Sequence, residues 1–290
     1  MERLPFYSSR VANAEYQTKE KTQIALRGRK TGQMSVIYQP SGRAREYADW
    51  ACNLFRGCPH GCAYCFAPSV LRMKKYDFHK GAVPKKDILK RLDASASSQE
   101  ESRLVHLCFT CDPYPRAIGS LSPDTHKITR TAIDMLKHYG HSVQILTKGG
   151  MESTADVIYL DERDEYAATL TLDNDEESRL WEPFAAFPGD RIEALNVATS
   201  FGVTTWASLE PVIFPEQSLM LLGRALEVGI SKAKIGPLNY IGRLPKWLVA
   251  SLPEHIDWSA FVAKAREMCR DYGAECILKN DLKVLIGEAQ

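Results

Sequence analysis

The sequence predicts an α/β fold with a parallel sheet: an open, partial (β/α)6 barrel of the TIM type, with an N-terminal arm and a C-terminal helical extension. Six short apolar segments alternate with helical segments between residues 50 and 235. Strands that are separated by helices pair in parallel, because each crossover brings the chain back in the same direction. Six strands are too few for a closed eight-stranded barrel, so an open barrel is expected.

Each predicted element follows from its local pattern. Apolar runs bounded by turn residues predict strands at 50–54, 104–110, 142–147, 167–172, 203–209 and 232–235. Apolar residues at helical spacing predict helices at 85–94, 123–139, 190–201 and 217–228, with weaker helical segments at 69–75 and 153–160. Ser122 is expected to begin the 123–139 helix, and Gly140, Gly202 and Gly229 to follow helix ends.

Three regions of the chain are distinguished. Residues 1–48 are polar and irregular with a basic segment at 19–30, which favours a solvated arm or lid over a nucleic-acid contact. Residues 49–245 form the predicted barrel. Residues 246–290 contain an amphipathic helix at 258–272 and an apolar run at 276–279, and we expect them to close one side of the barrel.

Composition is that of an ordinary globular protein. The 290 residues are 44% hydrophobic and 25% charged, and 37 basic residues balance 36 acidic ones. This balance excludes a global basic excess, although a local basic groove remains compatible with the lysines at positions 74, 75, 80, 85 and 86. No apolar signal segment begins the sequence and no run of about 18 apolar residues occurs, so we expect a cytoplasmic protein without membrane contact.

A loop of three cysteines organises the predicted chemistry. Cys58, Cys62 and Cys65 are spaced C-x3-C-x2-C. Three thiolates on one loop can hold three irons of a four-iron cluster and leave the fourth iron open. A structural zinc ion would need four ligands, and His60 lies between two of the cysteines, where it cannot easily reach the same metal. The pattern favours an iron-sulfur cluster over zinc, and zinc over three free thiols.

Polar residues follow several predicted strands, at the edge of a parallel sheet where ligands gather. Asp112 follows the second strand and either caps its turn or contacts a ligand. Lys148 follows the third, as a loop lysine or as the partner of a carboxylate or phosphate. Thr169 and Thr171 share a face of the fourth strand, where threonine is also a good strand former.

The fifth predicted strand carries Ser208 and Glu210 on one face. If that face points into the barrel, Glu210 is a buried carboxylate that needs a partner. A salt bridge with Lys234 on the sixth strand and a role in ligand binding are both open.

The segment at 53–67, Asn-Leu-Phe-Arg-Gly-Cys-Pro-His-Gly-Cys-Ala-Tyr-Cys-Phe-Ala, resembles the radical S-adenosylmethionine (SAM) superfamily, in its branch related to spore photoproduct lyase. The resemblance implies a [4Fe-4S] cluster on the three cysteines, with SAM on the open iron and Tyr64 over its adenine. It also implies a reductant such as flavodoxin or ferredoxin. By analogy, a nucleobase in DNA is the expected substrate, and a peptide or small metabolite is the alternative.

Further stretches extend this resemblance. Thr110-Cys111-Asp112-Pro113 is similar to a segment of the lyase branch that lies near SAM, and Leu146-Thr147-Lys148 is similar to one whose lysine contacts the methionyl part of SAM. The resemblance further implies hydroxyl groups near SAM on the fourth strand, and we include Ser208 among the candidate SAM contacts. Glu182-Pro183 also matches, without an assigned role.

One position departs from the family pattern. Phe109 stands where the lyase has its hydrogen-donating cysteine, and the strand period of two would point Cys108 to the opposite face. We therefore predict a reaction other than photoproduct repair, with Tyr64, Cys111 and Glu210 at the reacting centre. A non-catalytic iron-sulfur protein that binds nucleic acid is the alternative from another functional class.

Overall fold

A seven-stranded parallel sheet forms the centre of the protein in the computed structural model, which describes residues 35–117, 120–121 and 123–288. The strands are β1 (Trp50–Cys52), β2 (Phe55–Arg56), β3 (Val83–Pro84), β4 (Leu104–Leu107), β5 (Arg116–Ala117), β6 (Ser120–Leu121), β7 (Ser142–Thr147), β8 (Glu165–Thr169), β9 (Thr204–Val212), β10 (Lys232–Pro237) and β11 (Glu275–Leu278). The sheet order is β1-β4-β7-β8-β9-β10-β11, and β2-β3 and β5-β6 are two small antiparallel pairs.

Helices connect the strands of the sheet. The α-helices span Ala67–Val70, Lys75–Phe78, Ile88–Ser97, Pro123–His138, Asp175–Trp181, Pro188–Ser200, Pro215–Glu227, Lys246–Val249, Trp258–Asp271 and Asn280–Leu285. The 3-10 helices span Gly42–Glu46, Gly150–Tyr159 and Ile241–Arg243. Local sequence explains several of their ends: Asn174 and Asp257 accept backbone hydrogen bonds as N-caps, and Gly140 adopts a φ of 79° after the helix Pro123–His138.

The sheet is open, so the predicted fold class is confirmed. β1 and β11 are its two edges and do not pair with each other in the described ranges. The run that was expected to close one side of the barrel supplies a seventh strand instead of only covering the end, because β11 pairs in parallel with β10 from Lys232↔Glu275 to Ile235↔Leu278.

The two faces of the sheet differ in chemistry. Alternate residues such as Val105, Ile145 and Ala207 are buried in the main hydrophobic core. Their neighbours in sequence, such as His106 and Ser208, line the interior of the open barrel. This alternation is the strand period of two, and it places polar groups inside the barrel.

Several predicted boundaries shift. β4 ends at Leu107 because Cys108 adopts a φ of 74°, which extended backbone does not allow. β8 spans Glu165–Thr169 rather than 167–172, and the weaker helix at 153–160 is the 3-10 helix Gly150–Tyr159. The helix Asp175–Trp181 had no predicted counterpart.

The N-terminal region is described only from residue 35. The basic segment at 19–30 and the predicted cap Ser122 lie outside the described residues. Residues of the predicted arm that are described meet the sheet: Tyr38 pairs with Ala51 of β1, and the 3-10 helix Gly42–Glu46 contributes to the wall of the barrel interior. Within the described ranges, no helix is long and apolar enough to span a membrane.

Candidate functional site

A cavity of about 620 Å³ opens at the carboxyl ends of the sheet strands. Almost all sequence-predicted site residues line it, although they come from five separate parts of the chain. They are Cys58, Cys62, Tyr64, Cys65, Cys111, Asp112, Lys148, Thr169, Ser208 and Glu210. Thr171 is the one candidate that does not.

The cysteine loop is held by backbone contacts on both sides. Cys58 N–H donates to the carbonyl of Phe78 (3.0 Å), and Ala63 N–H donates to that of Trp181 (2.8 Å). Gly61 adopts a φ of 73°, a region that glycine favours. The three thiols consequently reach one cavity, with Cys58 and Cys62 buried and Cys65 half-buried.

The loop offers three free thiols that could serve as metal ligands. Burial raises the pKa of the Cys62 thiol to about 12, and the Lys148 ammonium opposes this rise. Metal binding requires the thiolate form, and all three cysteines are free of disulfide bonds. No group of three His, Cys, Asp or Glu side chains among the described residues is placed to hold one metal ion. A four-iron cluster differs, because each thiolate binds a separate iron.

His60 is occupied by protein partners. Its Nε2 accepts a hydrogen bond from the backbone N–H of Arg116 (3.1 Å), and its Nδ1 lies 3.6 Å from a carboxylate oxygen of Asp112. Burial lowers the pKa of His60 to about 4, so the ring is neutral at pH 7. These contacts give His60 a structural function in the loop.

A buried ion pair supports Tyr64 from behind. The Tyr64 hydroxyl donates to Glu182, which is paired with Arg191. The Arg191 guanidinium also donates to the carbonyls of Ala186 (2.8 Å) and Thr169 (2.9 Å), so all three of its nitrogens are used. Glu182, which the sequence analysis left without a role, therefore fixes the hydroxyl of Tyr64. Arg191 lies on the later helix Pro188–Ser200, and no sequence pattern pointed to it.

Asp112 caps its turn and also joins two strands. One carboxylate oxygen accepts from the N–H of Tyr114 (2.8 Å) and from the Thr147 hydroxyl (2.6 Å), and the other accepts from the N–H of Lys148 (2.9 Å). These bonds fix the end of β7 against the turn after β4. The predicted turn cap is therefore present, at the edge of the cavity.

Lys148 presents an ammonium group to the cavity. Its Nζ lies 5.8 Å from the centre of the Tyr64 ring, and no carboxylate of the described residues forms an ion pair with it. Burial lowers its pKa, but the neighbouring Cys62 and Glu182 outweigh this effect and leave the pKa raised. The group is therefore charged at pH 7 and free to bind an anion.

The strand pairing decides which of the two threonines of the fourth predicted strand faces the cavity. Thr169 pairs with Ser208 of β9, and both side chains line the cavity. Thr171 lies beyond the end of β8, and its buried hydroxyl has no hydrogen-bond partner among the described residues. Thr169 is therefore the better placed of the two candidates.

Of the two alternatives open for Glu210, the salt bridge with Lys234 does not form, because Glu210 has other partners. Arg43 Nη2 lies 2.9 Å from Glu210, and the Tyr47 hydroxyl bonds both Glu210 and Ser208. Lys234 Nζ instead donates to the backbone carbonyl of Tyr47 (3.0 Å). The reason is that the chain at 42–47 lies between the two side chains, a placement that strand pattern alone does not contain.

The expectation that Cys108 points away from Phe109 is also wrong. Because β4 ends before Cys108, strand alternation no longer applies, and Cys108, Phe109 and Cys111 all line the cavity. The Cys111 thiol donates a hydrogen bond to the carbonyl of Phe55 (3.6 Å), and the Cys108 sulfur accepts one from the N–H of Leu54 (3.4 Å). The Phe109 ring stacks on His106 with centroids 4.0 Å apart.

The sequence matches no protein family model and no curated protein. Its fold, however, resembles solved structures. A variant of spore photoproduct lyase with bound AdoMet and dinucleoside spore photoproduct has a TM-score of 0.59 at 12% identity, over 90% of this chain and 93% of the lyase. Streptococcus suis SuiB bound to precursor peptide SuiA has a TM-score of 0.55 at 11% identity, over 96% of this chain and 64% of SuiB. The predicted likeness to spore photoproduct lyase is confirmed for the fold.

Proposed function

We propose that the protein is a radical SAM enzyme. The observation that carries the proposal is the convergence of Cys58, Cys62 and Cys65 on one cavity with the unpaired ammonium of Lys148, at the carboxyl edge of an open parallel sheet. A [4Fe-4S] cluster held by these cysteines would supply one electron for the reductive cleavage of SAM, and thereby radical chemistry on the substrate.

The residues around the cavity would share the work of binding. The three cysteines would hold the cluster, and Lys148 would bind the carboxylate of SAM by charge. Tyr64 offers its ring to the adenine, and its hydroxyl is already fixed by Glu182. Thr169 supplies a hydroxyl on the neighbouring strand.

A nucleobase in DNA is the substrate that we propose. Aromatic side chains line the cavity beyond the cysteine loop, including Tyr38, Tyr47, Phe109 and Tyr240, and they suit a planar ring. One protein with this fold binds a dinucleoside. A peptide is the second candidate, since another protein with this fold binds a precursor peptide. Phe109 argues for base modification rather than photoproduct repair.

Anaerobic reconstitution with iron and sulfide, followed by SAM and dithionite, tests the chemistry. We expect 5'-deoxyadenosine by mass spectrometry, and a Cys58→Ala protein should form none above background. A reconstituted protein with the absorption of a cluster and no 5'-deoxyadenosine would refute the proposal.

Binding of DNA oligonucleotides that weakens as salt rises would support the substrate class, and no binding at low salt would contradict it.

A further inference from the structure

A group of unpaired cations lies beside the cysteine loop. We call it the basic patch, and its members are Arg56, Arg72, Lys74, Lys75 and Arg243. All five are exposed, and no carboxylate among the described residues forms an ion pair with any of them. The whole chain is almost neutral, with 37 basic and 36 acidic residues. The patch is therefore a local excess of positive charge.

Contacts and a small cavity join the patch to the loop. Lys75 Nζ donates to the carbonyl of Ala63 (2.7 Å) in the cysteine loop, and Arg243 donates to the Ser69 hydroxyl (2.9 Å). Lys75 and Arg243 line a second cavity of about 220 Å³ whose wall also includes Cys65 and contains no Asp or Glu. This cavity can receive an acidic side chain of a partner.

The centre of this surface is apolar. Phe66 is 46% exposed, Val70 63% and Tyr240 53%. Phe66 and Tyr240 line both the small cavity and the main one. An apolar centre with a charged rim is the usual composition of a protein interface, and the like charges of the rim select partners of opposite charge.

We propose that the basic patch is the docking surface for an acidic one-electron carrier protein, such as a flavin or iron-sulfur protein. The proposal rests on the proposed function, because the docked carrier loses one electron and the cluster gains it, with no bond made or broken. Cys65 is the most exposed of the three cysteines and lies in the wall of the small cavity. Docking here therefore brings the carrier next to a cluster ligand.

A phosphate backbone fits this surface less well, and it would use a row of lysines of which only Lys74 and Lys75 belong to the basic patch. Lysines 74, 75, 80, 85 and 86 would have to act as one row, but Lys80 is paired with Asp77 (2.8 Å). The unpaired cations instead surround apolar side chains. Charge complementarity and position thus favour a protein partner over nucleic acid.

A double variant, Arg72→Glu with Lys74→Glu, tests the surface without touching the residues that contact the loop. The matched control is Lys127→Glu with Arg270→Glu, two exposed and unpaired cations on the outer helices Pro123–His138 and Trp258–Asp271. Reduced bacterial flavodoxin and dithionite are compared as electron sources for 5'-deoxyadenosine formation, at about 20 mM and about 300 mM salt. Flavodoxin binding to each protein without cluster is measured in parallel by calorimetry.

We expect the patch variant to lose about tenfold or more of the flavodoxin-supported rate at low salt, and to bind flavodoxin correspondingly more weakly. Its dithionite-supported rate should equal that of the native protein, and the control should retain both rates. Unchanged flavodoxin binding and rate in the patch variant would overturn the proposal. So would loss of single-stranded DNA binding with an intact flavodoxin-supported rate, which would assign the patch to nucleic acid. Failure of the proposed function is separate: the native protein would form no product even with dithionite, while flavodoxin binding would still decide the docking site.

Discussion

Substitution of Arg191 by methionine should destabilise the protein by about 3–5 kcal/mol, the usual cost of removing one partner of a buried ion pair. The guanidinium and its partner Glu182 are almost completely buried, and Arg191 donates to two carbonyls besides the carboxylate. Methionine has a similar length but no donor, so Glu182 would keep only the hydroxyl of Tyr64 and the more distant charge of Lys148.

The pH dependence of the unfolding free energy tests whether the unpaired Glu182 carboxylate causes this loss of stability. Burial raises the pKa of Glu182, but Arg191 and Lys148 outweigh it and leave the pKa below its usual value of 4.5. In the native protein, this pair therefore contributes stability above about pH 4.5 that is lost as pH falls through the lowered pKa. Without Arg191, burial should raise the pKa, so the variant should gain stability relative to the native protein as pH falls from about 8 to about 5.

Urea unfolding followed by circular dichroism at several pH values measures both effects. Arg224→Met is the matched control, because Arg224 forms an ion pair with Asp173 at the surface, where such pairs contribute about 1 kcal/mol or less. Equal losses for the two variants, or a difference between Arg191→Met and native protein that does not change with pH, would refute this account of Glu182.

Two further predictions concern the loop and the cavity. Gly57→Ala should lower the free energy of unfolding by more than about 2 kcal/mol, because Gly57 has a φ of 84° and a Cβ there would lie 2.2 Å from the carbonyl oxygen of Gly81. The control Gly42→Ala should lower it by about 1 kcal/mol, since Gly42 has a φ of 59° but no atom within 4 Å of an added Cβ. Similar thermal midpoints for the two variants would contradict the prediction. Lys148→Met should weaken SAM binding to the reconstituted protein by about tenfold or more, because a hydrogen bond to a charged group contributes about 1.5–3 kcal/mol. Equilibrium dialysis checks this against Lys127→Met, and equal affinities would show that Lys148 does not bind the carboxylate.

Several features of the site were predictable because parallel strands bring their carboxyl ends to one edge of a sheet. Apolar runs and helix signals located the strands. Residues that follow strands, such as Asp112 and Lys148, meet in the cavity with Ser208 of β9. The spacing of the cysteines is itself local, so the loop and its chemistry could be read directly. These predictions needed only the alternation of strands and helices, which local sequence carries.

What the sequence by itself determined is the open α/β fold, the cysteine loop and the set of residues at the strand ends. Only the tertiary structure decided which neighbours those residues meet: Tyr47 and Arg43 for Glu210, and Arg191 with Glu182 behind Tyr64. It also brought Arg243 to the small cavity that Cys65 and Lys75 line. The physical reason is that such contacts join residues far apart in the chain, and their geometry depends on how loops and helices pack rather than on any local period. Local signals fix which residues reach the site, and packing fixes their partners.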